Sequence, residues 1–388
     1  MLSHVRAAQL ARSYSVSVKS FDAGRAVSEV SLKLRAGSRF ETAPGASHLL
    51  ASYVYGNTAT KSALRLTRES ELLGGCITST HDRQHITFTA KFLREDLPYF
   101  VAALSSLAKS TLYKQYEYTE SILPLAKLEA AAFESNNVDV ALDAAHEVAF
   151  RSGLGNSVNI GKNFVASNDQ VKEFASKVFV DGNVEVYGKN VNEADLSALV
   201  AQQLTLPQGP KLEPVKAQFF SGEKRIDKAG ANTIVMAFPT ERDASLTALK
   251  FALSNKPLKW GQDTGLLGKL PNGVTLKTVH DSYHDASLLS IALSGQNAAD
   301  VSAAAIQTAT TLKKLATAGA SEDVSKRALA TAKVELADLY VNDHKISADA
   351  IPTTLDIKAS VSKLLSGKPV LVAVGNTRAL PHLDELLK

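Results

Sequence analysis

The chain has 388 residues, 45% of them hydrophobic and 21% charged, with a formal net charge of +4 and one cysteine. It is longer than one hydrophobic core usually organises, and its composition is that of a globular protein. The lone cysteine excludes intramolecular disulfides and cysteine-rich metal or iron–sulfur sites. No apolar run reaches the roughly 18 residues of a membrane-spanning helix, and the scattered basic residues form no block suited to nucleic acid.

Residues 1–20, MLSHVRAAQLARSYSVSVKS, contain Arg6, Arg12 and Lys19 and no acid; the first acidic residue is Asp22. This basic, Ser-rich, acid-poor composition matches a mitochondrial presequence, with a basic arm on a cytosolic protein as the alternative. On a helix, Leu2, Val5 and Leu10 share one side while Arg6 stands apart. Arg12-Ser13-Tyr14-Ser15 predicts a matrix-type cut between Tyr14 and Ser15, making 1–14 a presequence on which the fold does not depend. A continuous apolar stretch of the secretory type is missing.

VSEVSLKLRAGSRF (27–40) alternates Val30, Leu32 and Leu34 against Ser31, Lys33 and Arg35, the pattern of a half-buried strand, which Pro44-Gly45 ends. Helices are predicted over 46–55 and 59–73, closed by Gly74-Gly75. Strands follow at 76–93, then a helix at 95–109, a long helical region from about 115 to 150, a helix at 168–178, a strand at 183–188 and a helix at 192–204. TLPQGPKLEP (205–214) reads as an interdomain linker, taken as 205–215.

Beyond it the order of features repeats. GEKRIDKAGANTIVMAFPTE (222–241) suggests a strand pair, and HDSYHDASLLSIALSG (280–295) echoes HDRQHITFTAKF (81–92). KPVLVAVGNTRALPHLDELLK (368–388) echoes NVEVYGKNVNEADLSALVAQQL (183–204) through its Gly375 and Gly188. An ordered set of echoes marks a duplicated unit. The expected fold is α+β, with two homologous domains at 15–204 and 216–388, each an antiparallel-rich mixed sheet packed by helices.

The helix after Pro44-Gly45 carries Gly45-Ala46-Ser47-His48-Leu49-Leu50-Ala51-Ser52. Together with the duplication and the presequence, this segment resembles the M16 metallopeptidase family (pitrilysin-like, including the mitochondrial processing peptidase). That family holds zinc on a His-x-x-Glu-His helix, where two histidines four residues apart share one face and the Glu activates the metal-bound water. Carried over, the first histidine is His48, the base falls on Ala51 and the second histidine on Ser52. The distal Glu ligand has its counterpart in Glu129 of SILPLAKLEAAAFES. The resemblance extends to Glu71-Leu72-Leu73-Gly74-Gly75, to Lys91–Pro98 and to Ala145–Arg151 followed by Gly153-Leu154-Gly155. With no base and one histidine, it implies no catalytic residues and no metal or other cofactor.

Within the family, a degenerate motif, mitochondrial targeting and fewer than 400 residues point to the core subunits of the respiratory cytochrome bc1 complex. The resemblance then implies a scaffold peripheral to the inner membrane on the matrix side. Its partners would be core protein 1 and the other subunits of a dimeric complex III, with no nucleic acid. The processing-peptidase α subunit stays open as an alternative, although residues 250–300 hold only scattered glycines where that subunit carries a glycine-rich loop. An active zinc peptidase is opposed by Ala51 and Ser52.

Other residues invite plainer readings. His48 on an apolar helix suits a structural histidine. His81 and His85, an even number apart on adjacent strand positions, could face the same side, yet suit a solvated or turn-capping role better than a two-histidine metal site. Gly153-Leu154-Gly155-Asn156 lacks the Lys-Ser/Thr of a phosphate loop and reads as a turn. Cys76 at a Gly-Gly-to-strand junction reads as structural, and Trp260 as a core or contact residue.

Overall fold

The computed structural model describes residues 16–161, 165–255, 264–271, 273–343 and 354–387. The predicted presequence, the Tyr14–Ser15 cut and Trp260 lie outside them. The chain forms two compact units, one built from residues up to 126 and 160–213, the other from 127–159 and 214 onward.

In the first unit, β1 (Ser17–Phe21), β2 (Val27–Leu34), β3 (Cys76–His81), β4 (Ile86–Leu93) and β5 (Val184–Lys189) form one mixed sheet in the order β1-β5-β2-β4-β3. Only β1 and β5 run parallel. β2 alternates as its sequence predicts, with Val30, Leu32 and Leu34 buried. They face Ile86, Phe88, Ala90 and Phe92 of β4. Helix α1 (Ala46–Ser52), a 3-10 turn at Tyr53–Tyr55 and α2 (Ala63–Leu72) follow β2, and α3 (Leu97–Ser110) follows β4. Pro98 suits the first turn of α3, where a missing N–H costs nothing. Phe100 of α3 stacks on Phe92 with centroids 4.6 Å apart. β1 falls within the stretch whose composition suggests targeting, where Val16, Val18 and Ser20 alternate against Ser17, Lys19 and Phe21.

The helical region at 115–150 is broken. After α4 (Gln115–Glu117) and a π turn at Tyr118–Ile122 come α5 (Leu123–Ser135) and α6 (Asn137–Phe150). The break is Asn136, whose side chain accepts the N–H of Val138 and caps α6. The first unit resumes with α7 (Asn168–Val178), opened by a Ser167–Gln170 capping box, and α8 (Glu193–Gln203). The proline-rich segment then stays on the first unit. Asp181 N–H donates to Pro207 O at 3.0 Å, Gly182 N–H to Gly209 O at 3.1 Å and Leu212 N–H to Asn183 Oδ1 at 3.2 Å.

The second unit repeats the topology. β6 (Gly222–Asp227), β7 (Asn232–Thr240), β8 (Thr275–Ser282), β9 (Ser287–Gly295) and β10 (Val370–Gly375) lie in the order β6-β10-β7-β9-β8. The expected strand pair at 222–241 is therefore corrected: β10 sits between β6 and β7, as β5 sits between β1 and β2. With His81 set on His280, the ladders carry Leu34, Leu32 and Val30 onto Phe238, Met236 and Ile234, and Ser17 onto Gly222. The same registers set Gly188 on Ala373, so the glycine echo is displaced by two residues.

The second sheet is covered on both faces. One face of the second sheet packs against α9 (Ser245–Leu253), α10 (Ala298–Ala318), α11 (Glu322–Asp343), α12 (Ile357–Leu365) and α13 (Leu383–Leu387). The other face, with Val235, Ala237, Leu288, Ala292 and Val372, packs against Ala141, Ala144, Ala145 and Ala149 of α6. Small residues on that helix face allow close approach to the sheet. A sheet apolar on both faces reads as unbroken runs such as IVMAF and VLVAV, which would be exposed without α6. This is why 127–159 belongs to the second unit, and it corrects the linear division at 204 and 216.

Candidate functional site

The sequence points to α1, and its entry is tightly built. Gly45 has φ 79°, and a Cβ there would lie 2.7 Å from Ile160 Cγ2. The Gly45 and Ser47 N–H groups donate to Glu41 Oε2 at 3.1 and 3.4 Å, while Ser47 Oγ donates to Ala36 O at 2.7 Å. Burial pushes the Glu41 carboxyl up to about 8, against the pull of these two N–H donors.

His48, the third residue of α1, is fully buried. Its Nδ1 accepts the Ile160 N–H at 3.2 Å, which assigns the lone pair to that nitrogen. The ring stacks on His81, with centroids 4.5 Å apart and planes 16° from parallel. Ring lone pairs lie in the ring plane, so two stacked imidazoles direct theirs side by side and do not converge on one ion. His81 reaches this place because Ile77, Ser79 and His81 form the inward side of β3, an alternation that was legible in CITSTH.

The other motif positions do not assemble a centre. Ala51 is 1% exposed, so its methyl fills core space where the family's base would stand. Ser52 Oγ donates to the His48 carbonyl at 3.0 Å, satisfying itself on its own helix. Glu129 lies on an exposed side of α5, in the part of that helix that belongs to the second unit. Among the described residues no group of three or more His, Cys, Asp or Glu side chains could hold a metal ion. His85 is separated from His81 by the hairpin turn: its N–H donates to Asp82 Oδ1 at 2.7 Å, and burial, then Lys33, lowers its ring to about 4. Gly153–Gly155 is a single 3-10 turn. Cys76 is exposed at the start of β3.

The second unit holds a counterpart that sequence comparison alone did not reveal. Thr247 is the third residue of α9, as His48 is of α1. Its Oγ1 lies 3.0 Å from Nδ1 of His280 on β8, the residue that matches His81. A polar helix-to-strand joint at this place is thus a feature of the duplicated fold.

The family description "Insulinase (Peptidase family M16)" matches residues 18–160. Similar curated proteins are the mitochondrial cytochrome b-c1 complex subunit 2 of Yarrowia lipolytica, 34% identical over 97% of this chain and 96% of that one, and of Saccharomyces cerevisiae, 36% identical over 96% of each. The rat protein of the same name is 24% identical over 93% of this chain. Among solved structures, a peptidase M16 inactive domain from Pseudomonas fluorescens superposes with a TM-score of 0.77 over 95% of this chain and 97% of that one. At 16% identity it speaks to the fold alone. The chain belongs to the family of mitochondrial cytochrome b-c1 complex subunit 2 proteins, built on the peptidase M16 fold.

Proposed function

We propose that this chain is a non-catalytic core subunit, of the core protein 2 type, of the mitochondrial ubiquinol–cytochrome c reductase complex. It would support assembly and stability of the electron-transfer subunits. The observation that carries the reading is the near-complete coverage by relatives of that name, joined to a motif helix with Ala51 and Ser52 in place of base and ligand. The motif positions of α1 supply no base for a water: Ala51 offers no acceptor, the Ser52 hydroxyl is engaged with a backbone carbonyl, and the His48 Nδ1 lone pair is taken by the Ile160 N–H.

The place and partners follow from the same reading. The subunit would sit on the matrix side, peripheral to the inner membrane, beside core protein 1 in a dimeric complex. Among the described residues no helix is long and apolar enough to cross a membrane. Residues 1–14 would be removed on import, between Tyr14 and Ser15, lowering the net charge from +4 to +2 by the loss of Arg6 and Arg12. Deleting the gene and assaying ubiquinol–cytochrome c reductase in isolated mitochondria tests the role. Loss of the assembled complex, restored by re-expression of the wild-type chain, is the expected result. Normal assembly without the chain would refute it.

A further inference from the structure

A cavity of about 460 Å³ opens in the first unit where the start of α2, the C-terminal half of α3 and the end of α8 meet. That volume suits a small ligand. Its apolar floor is Leu66, Ala102 and Ala103, and hydroxyls occupy much of the wall. Thr60 Oγ1 lies 2.7 Å from Ser106 Oγ, which is 3.0 Å from Ser110 Oγ, and Ser110 Oγ donates to the Ser106 carbonyl at 2.8 Å, leaving the Ser106 hydroxyl able to turn toward a ligand. None of the lining residues is acidic, whereas two are lysines.

The two lysines differ in what they offer. Lys61 Nζ is 2.5 Å from Glu69 Oε2 and stands over the Tyr99 ring, so its charge is already balanced. Among the described residues Lys109 Nζ donates once, to Gln203 O at 3.1 Å, and an ammonium carries three donors. Gln203 also lines the cavity, and its Oε1 is buried without a hydrogen-bond partner among the described residues. A buried carbonyl oxygen of this kind calls for a donor. No aromatic side chain lines the cavity to stack a nucleobase.

We propose that this cavity binds the phosphate ester of a small polyol, of the glycerol phosphate type. Lys109 and the Ser106 hydroxyl hold the phosphate, and a ligand hydroxyl donates to Gln203. Lysine beside a hydroxyl donor suits a phosphate oxygen, since charge-assisted hydrogen bonds are the stronger ones. The ligand is either a free metabolite or the headgroup of an anionic lipid, whose recognised chemistry is the same. The inference does not depend on the complex to which the chain belongs.

Titration of the purified full chain with glycerol 3-phosphate and with inorganic phosphate, followed by calorimetry and 31P NMR, tests it. Saturable binding of glycerol 3-phosphate is expected, weakened about tenfold or more by Lys109→Met and held within about threefold by Lys109→Arg. Gln203→Leu is expected to weaken glycerol 3-phosphate but leave inorganic phosphate unchanged. Lys109 is at the surface, and circular dichroism confirms that each variant is folded. Co-sedimentation with phosphatidylglycerol vesicles over phosphatidylcholine vesicles, lost in Lys109→Met, assigns the lipid source; soluble binding alone assigns the metabolite. Absence of both kinds of binding, or binding indifferent to Lys109→Met, overturns the proposal.

Discussion

The rings of His48 and His81 lie face to face, 4.5 Å between centroids, with the His48 Nδ1 fixed by the Ile160 N–H. The matching residues of the second unit, Thr247 and His280, also meet, through a hydroxyl and a ring nitrogen 3.0 Å apart. The histidine that would begin a metal motif therefore joins α1 to β3 in a place where the fold uses a polar joint twice.

If the stack is structural, truncating it costs stability. His48→Ala removes a fully buried ring and leaves the Ile160 N–H without an acceptor, so a loss of about 2–4 kcal/mol is expected. His81→Ala loses less, and the double mutant shows a coupling of about 0.5–1.5 kcal/mol. Urea denaturation of the four proteins measures both; additive losses would show that the rings do not interact.

Rewriting the motif does not bring back a peptidase. Ala51→Glu with Ser52→His forces a carboxylate into a core position that is 1% exposed, at a cost of about 3 kcal/mol or more. His48 stays held by Ile160 and His81. The variant is expected to melt earlier and to show no chelator-sensitive cleavage of a presequence peptide. Zinc-dependent turnover by it would contradict the account of the stacked pair.

Glu41 gives a pH dependence with a definite sign. Its folded carboxyl titrates near 8 against a free value of 4.5, so the folded state holds the proton more tightly than the unfolded chain. The stabilising contribution is complete below about 4.5 and is lost as pH rises through 8. Glu41→Gln keeps an acceptor for Gly45 and Ser47 yet cannot ionise. Its stability relative to wild type is expected to improve between pH 6 and pH 9, on the scale set by the two titration values. Denaturation curves across that range check it, and parallel curves would assign Glu41 an ordinary carboxyl.

Two glycines with left-handed backbone separate strain from crowding. Gly24 has φ 69° with nothing within 4 Å of an added Cβ, while Gly45 has φ 79° with Ile160 Cγ2 at 2.7 Å. Gly24→Ala is expected to cost about 1 kcal/mol, and Gly45→Ala about 2–3 kcal/mol more, because Ile160 also carries the N–H that His48 accepts. Equal losses would show that the α1 entry is not tightly packed.

Local patterns announced much of this molecule. The alternation of Val30, Leu32 and Leu34 and the Pro-Gly before α1 report neighbours close in sequence, the His-Asp echo repeats one such local pattern, and each element stands where they indicate. What stayed hidden depends on distant partners. The parallel pairing of β1 with β5 joins Ser17 to Glu185, and no short window shows it. The docking of α6 on the second sheet was implicit in the unbroken apolar runs, but only once both faces of that sheet were known to need cover. At the site, Ala51 and Ser52 declared the missing base and ligand directly. The stack of His81 on His48 joins a strand to a helix 33 positions away, which spacing alone does not reveal.

A structural subunit of the cytochrome b-c1 complex must be found within that complex. Solubilising mitochondria in mild detergent, separating the native complexes and locating the chain by mass spectrometry shows where it resides. The chain is expected to migrate with the b- and c-type cytochromes, in near-stoichiometric amount and with an N-terminus at Ser15. Recovery of the chain chiefly in a soluble matrix heterodimer, apart from those cytochromes, would contradict it.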